Sequence, residues 1–206
     1  MKFIPILFST LMVQAIQEGR KTQTRREVNF PQVWPDLLDD LHAKLDVKGK
    51  QVFDLAGENR FDLRDRFGKP GDVLWVREAF YELKNKELKG NYFYKAEIEP
   101  HGFNFNWKPS IHMPKAACRI FLKVVSVNVQ RLQDISEADS ITEGVLKISE
   151  PCGWKDYLSK DSEGTVSNSR SSFLRLWVSI NGGNLNANPW VWVVEFERID
   201  KPENFL

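Results

Sequence analysis

A chain of 206 residues can bury a substantial core, and with 42% apolar and 12% aromatic residues it is too hydrophobic for a disordered tail. A formal net charge of +1 excludes a general polyelectrolyte binder, so attraction for an anionic partner has to come from a local cluster. Cys118 and Cys152 lack metal-ligand spacing and are too few for a disulfide framework, which reads as free thiols in a reducing compartment. No apolar run reaches transmembrane length and the opening residues do not read as a signal peptide, so a cytoplasmic location is expected.

Residues 3–8 read as a short strand. Ser9 or Thr10 can cap a helix that carries Met12, Val13 and Ile16 on one face and stops at Gly19. Arg20-Lys21-Thr22-Gln23-Thr24-Arg25-Arg26 follows, with four positive charges and no acid, the most unusual window in the chain. Between residues 27 and 68 the signals are mixed. Pro31 and Pro35 flank Trp34, and Leu37, Leu38, Leu41 and Leu45 suit one amphipathic helix, so the stretch reads as an insertion without a core of its own. Lys69-Pro70-Gly71-Asp72 is a turn that opens a strand over residues 73–78, and residues 91–96, rich in Tyr and Phe, form another. Residues 104–114 read as a loop. Residues 119–132 hold the longest alternation and should cross the core. Ser136 with Asp139 fits a capping box for a short helix ended by Gly144, which leaves Glu143 at a helix end whose dipole favours a cation. Residues 147–170, polar and rich in Ser and Gly, read as a mobile loop. Phe173, Leu174, Trp177 and Ile180 mark a third helix stopped by Asn181-Gly182-Gly183, and residues 189–197 form a closing strand. This order is not a βαβ series, so an α+β fold with a small mixed barrel or highly curved sheet is expected rather than a doubly wound one.

The chain has no phosphate-binding glycine loop, no zinc-ligand pattern and no nucleophile elbow. Its three histidines, His42, His101 and His112, form no useful pair, so neither a Ser-His-Asp nor a metal mechanism is expected. The remaining candidate is the basic window, whose plainer reading is a solvated surface loop and whose sharper reading is the lining of a cleft. Gly19-x-Lys21-x-x-Thr24-x-Arg26 resembles the signature of the ASCH superfamily, the activating-signal-cointegrator homology domains, which are PUA-like β-barrels. The Lys69-Pro70-Gly71-Asp72 turn, the helix within residues 133–144 and the strand over residues 190–196 are similar to later parts of those domains. Trp107-Lys108-Pro109-Ser110-Ile111-His112-Met113-Pro114-Lys115 and Asn188-Pro189-Trp190-Val191-Trp192 resemble the prophage-associated branch. The resemblance implies one domain over residues 1–206, a PUA-like mixed β-barrel with three short peripheral helices and insertions at 28–68 and 145–170.

It also implies a basic cleft that takes up RNA or a modified nucleoside, with no cofactor and no metal. One bacterial branch of the superfamily hydrolyses the amide of N4-acetylcytidine, with Thr as nucleophile, Lys as proton acceptor and Glu as proton donor. Lys21 and Thr24 match the first two positions, and aligning residues 132–144 without gaps puts Glu143 on the third. A threonine hydroxyl needs a neighbouring base, and a lysine serves as one only when burial or like charge lowers its pKa. Arg20, Arg25 and Arg26 supply like charge; Glu143 opposes them. Glu78 is the rival acid, or closes an ion pair; Glu143 could equally bond Arg26. Trp75 and Trp107 are candidates to stack a base, with core packing as the alternative. Three functions follow: a binding module in which Lys21, Arg25 and Arg26 meet phosphate, an amidohydrolase using Lys21, Thr24 and Glu143, or a phage-encoded regulatory or interaction protein with a vestigial cleft.

Overall fold

The computed structural model describes residues 1–28, 51–53, 60–62, 67–83, 91–98, 105–149, 153–160 and 164–205. Its elements in chain order are β1 (Phe3–Leu7), α1 (Thr10–Gln17), β2 (Gln23–Glu27), β3 (Gln51–Phe53), β4 (Arg60–Asp62), β5 (Val73–Arg77), β6 (Phe80–Glu82), β7 (Tyr92–Tyr94), β8 (Phe121–Arg131), α2 (Glu137–Thr142), β9 (Lys147–Ser149), β10 (Gly153–Lys155), β11 (Thr165–Val166), α3 (Ser169–Asn181) and β12 (Trp190–Ile199).

The long alternation becomes β8, which pairs antiparallel with β12 from Trp190↔Arg131 to Ile199↔Phe121, with a register shift at Glu195/Phe196 that sharpens the local twist. These two strands are the spine of a five-stranded sheet in the order β1-β5-β8-β12-β2. β1 runs parallel to β5, and β2 antiparallel to β12. On one face Val13 and Ile16 of α1 pack with Ile6, Leu74, Leu122, Val194 and Phe196. On the other, Phe173, Leu176 and Trp177 of α3 pack on Val191 and Val193, while Phe205 fills a further cluster with Trp75 and Phe121. Among the described residues the fold is therefore α+β with three α-helices.

Among the described residues no sheet closes into a barrel. The large sheet is nonetheless curved enough for its edge strands to approach, and the Arg26 side chain spans the gap, its Nη2 donating to the Leu7 carbonyl at 2.5 Å.

The helix signals translate directly. Ser9 Oγ accepts from Met12 N (3.4 Å) and Ser136 Oγ from Asp139 N (3.0 Å). Gly19 (φ +75°) and Gly144 (φ +90°) take the left-handed conformation that ends each helix. Two readings are corrected. Where composition suggested a mobile loop over residues 147–170, β9, β10 and β11 form a three-stranded antiparallel sheet and α3 already begins at Ser169, capped by Asn168. Trp154 and Tyr157 supply the reason, packing half-buried on the α3 cluster, and Ser172 Oγ donates to Lys155 O at 2.6 Å. Likewise residues 23–27, whose plainer reading is a solvated surface loop, form the edge strand β2 with Gln23, Thr24 and Arg25 buried. The amphipathic helix expected around Leu37, Leu38, Leu41 and Leu45 lies outside the described residues. No helix among those described is long and apolar enough to cross a membrane.

Candidate functional site

The site forms where the end of α1 meets the end of α2. Past Gly19, the amides of Arg20 and Lys21 both donate to Ala15 O (2.9 and 3.0 Å), turning the chain sharply. Lys21 then forms an isolated antiparallel bridge with Glu143, and Thr22 N donates to Thr142 O at 2.9 Å. Residues 122 apart in sequence are thus set side by side by backbone alone. Gly144 is required there, since a Cβ on it would lie 2.8 Å from Ala15 Cβ and 2.9 Å from Lys21 Cβ.

Lys21 and Glu143 are each 2% exposed. Lys21 Nζ donates to Glu143 Oε2 (2.7 Å), Glu143 O (2.9 Å) and Gln23 O (2.7 Å), which uses all three ammonium protons. The other carboxylate oxygen, Oε1, accepts from Arg25 Nη1 at 3.0 Å. Arg25 is itself enclosed: Nη1 also donates to Gln23 Oε1 (2.5 Å), Nη2 lies 3.4 Å from Asp139 Oδ2, and the ring of Phe173 lies 5.7 Å from the guanidinium carbon. The Gln130 amide, with its oxygen turned toward the guanidinium, accepts from Nη2 at 2.7 Å and Nε at 3.1 Å. Burial pulls the pKa of Lys21 below its ordinary value of 10.5; the Glu143 charge and hydrogen bond resist this, and Arg26 and Arg25 add to it.

Thr24 is fully buried, and its Oγ1 has no hydrogen-bond partner. It pairs with Val194, so strand alternation puts its side chain on the same face as Arg26 and opposite to Gln23 and Arg25. Leaving a buried hydroxyl unsatisfied costs about 1–3 kcal/mol. The structure therefore hydrogen-bonds Lys21 to Glu143 directly and holds Thr24 on the adjoining strand without bonding it to either.

The remaining nominated residues divide. Arg26 stands over Phe8, its guanidinium carbon 5.2 Å from the ring centroid, and Lys21 Nζ lies 5.8 Å from the same ring. Arg20 turns outward to Glu18 (2.5 Å) and donates to Gly144 O (2.5 Å), so it braces the turn. Glu78, Trp75 and Trp107 make their contacts elsewhere. The Glu78 carboxylate is gripped by Arg119 at 2.9 and 3.0 Å. Trp75 is core beside Phe205, with centroids 5.9 Å apart, and Trp107 packs on Phe105 at 5.0 Å. Gln23, Gln130 and Asp139 were not nominated from sequence. Treating residues 23–27 as a strand would have placed Gln23 beside Arg25 on one face and supplied the missing signal.

Two spaces adjoin the pair. A pocket of about 10 Å³, room for one water, lies among Arg25, Arg26, Glu143, Asn181 and the α3 residues Phe173 and Trp177. A groove of about 450 Å³ runs between Pro5, Ile6 and Leu7 of β1 and Arg26 and Glu27 of β2, with Phe67, Arg77 and Asn181 completing its walls. The two spaces share Arg26 and Asn181. Among the described residues no group of three or more His, Cys, Asp or Glu is placed to hold a metal ion. Compared with protein-family models, with curated proteins and with solved structures, the chain matches none.

Proposed function

We propose that the chain is an ASCH-type, PUA-like domain that takes up a modified nucleoside and hydrolyses an acyl amide on its base, with N4-acetylcytidine as the reference substrate. The observation that carries this is the buried Lys21–Glu143 hydrogen bond, 2.7 Å long, just before the strand that holds the buried, unpartnered Thr24 hydroxyl. The curved mixed sheet, with its edges a single arginine side chain apart, supports the PUA-like part of the reading.

One proton shift explains how an ion pair can serve as base and acid together. Moving a proton along the short hydrogen bond from Lys21 Nζ to Glu143 Oε2 converts ammonium and carboxylate into a neutral amine and a carboxylic acid. Burial favours the neutral amine of Lys21, and the Arg26 and Arg25 charges add to this. The amine then accepts the Thr24 Oγ1 proton as the oxygen attacks the acyl carbon. The Glu143 acid protonates the exocyclic nitrogen as the C–N bond breaks, and water hydrolyses the acyl-threonine, returning the hydroxyl. In this scheme the 450 Å³ groove, within the usual size range of ligand pockets, holds the nucleoside, and the acyl end reaches past Arg26 toward Glu143. Arg25, enclosed by its partners, serves the carboxylate rather than phosphate.

The test is release of acetate and cytidine from N4-acetylcytidine without added metal. Lys21→Ala and Thr24→Val should abolish release, Thr24→Ser should retain part of it, and Glu143→Gln should cost about two orders of magnitude. Turnover surviving in Thr24→Val would eliminate the nucleophile, and failure to cleave any N4-acylcytidine would eliminate the activity.

A further inference from the structure

We infer that the groove between β1 and β2 is a phosphate site, so that the ligand is a nucleotide unit whose base points toward Glu143 and whose phosphate meets Arg26 and Arg77. The inference rests on the nucleoside reading above for the base, and on the groove itself for the phosphate.

Arg26 comes from β2 and Arg77 from the end of β5, yet both line the same groove, where Glu27 is the one acid among the described lining residues. The Arg77 guanidinium is positioned by uncharged groups: Nη2 donates to Ile111 O, and its carbon lies 5.5 Å from the Trp75 ring centroid. Its Nε is buried without a hydrogen-bond partner among the described residues, and the half-buried guanidinium carries its charge at the groove wall. Arg26 is held at the groove by Leu7 O and the face of Phe8. Two pre-positioned guanidiniums suit the planar, two-pronged recognition of phosphate oxygens. Pro5, Ile6, Leu7 and Phe67 supply apolar wall for a sugar and base, and the shared Arg26 and Asn181 connect the groove to the pocket at Glu143.

Calorimetric titration of the whole chain with cytidine, cytidine 5′-monophosphate, pyrophosphate and an unphosphorylated cytidine trinucleotide tests this. Cytidine 5′-monophosphate should bind about tenfold or more tighter than cytidine at low salt. Arg77→Gln should bring that ratio close to one, while Arg77→Lys should retain part of it. Equal affinities in the unmodified protein, or a ratio that a normally melting Arg77→Gln leaves untouched, would overturn the inference. Should Arg77→Gln not fold, Arg77→Lys and Arg26→Gln carry the same comparison. Should neither cytidine nor its monophosphate bind, pyrophosphate decides. Binding weakened by Arg77→Lys or Arg26→Gln keeps the phosphate site and discards the base pocket, whereas no binding discards the phosphate site. A trinucleotide that matches the monophosphate identifies a polynucleotide backbone as the source of the phosphate; one that binds like cytidine identifies a free nucleotide.

Discussion

A lysine buried to 2% exposure with a carboxylate on one proton and carbonyls on the other two is a charge kept in place by its partners. Removing the Glu143 charge leaves Lys21 and Arg25 facing each other in a dry site, and breaking such a pair costs about 3–5 kcal/mol. Because the folded pKa of Lys21 lies below 10.5, the unfolded chain binds more protons between those two values, so this group makes stability rise with pH there. Glu143→Gln removes the influence that holds that pKa up. The destabilisation it causes should therefore be largest near neutral pH and shrink as pH climbs toward 10.5, as denaturant melts at several pH values would show. A cost constant with pH would mean that Lys21 keeps its proton without the carboxylate. The resemblance nominated the three residues of the proposed mechanism, but their electrostatics could not be read from it. Arg20 turns away to Glu18, and burial, which no sequence displays, is the first cause of the Lys21 shift.

At the scale of elements, α1, α2 and the turn before β5 were legible because their signals are local, a hydroxyl cap at one end and a left-handed glycine at the other. The sheet β9–β10–β11 and the edge strand β2 were not, because tertiary partners hold them: Trp154 against the α3 cluster, and Thr24 and Arg25 in register with Val194 and Val193. The two helix-ending glycines make a controlled pair. Gly19→Ala meets no atom within 4 Å, so it should cost only the left-handed backbone penalty, about 1 kcal/mol. Gly144→Ala carries the same penalty and also presses on Ala15 and Lys21, so it should lose about 2–3 kcal/mol or more and lower turnover by displacing Glu143. Equal melting temperatures for the two variants would show that the junction yields without disturbing the site.

For the whole molecule, a net charge of +1 leaves little long-range pull on a polyanion, so attraction rests on what the groove itself supplies. With Arg26 and Arg77 as the phosphate contacts, the affinity for a short single-stranded RNA should fall with salt at a log–log slope of about 1.4, from about 0.7 per contact. Fluorescence anisotropy across a salt series measures it, and a slope of about 4 would require a basic surface outside the groove. The order of elements pointed to the α+β class, but the sheet order did not follow from it, since β1 reaches β5 and β2 reaches β12 only through pairings distant in sequence.

Those pairings govern when the site can exist. Among the described residues the sole neighbour of β2 in the sheet is β12, and Gln23 meets Glu195 across 172 positions of chain. Closing so long a loop is entropically slow, and contacts of this span form late in folding. A partly folded chain can already hold α1, the β1–β5 pair and their shared core while Thr24 and Arg25 still lack the strand that aligns them. Recovery of the site during refolding is then a clock for the last step of assembly, running behind any signal that reports only helix or early sheet.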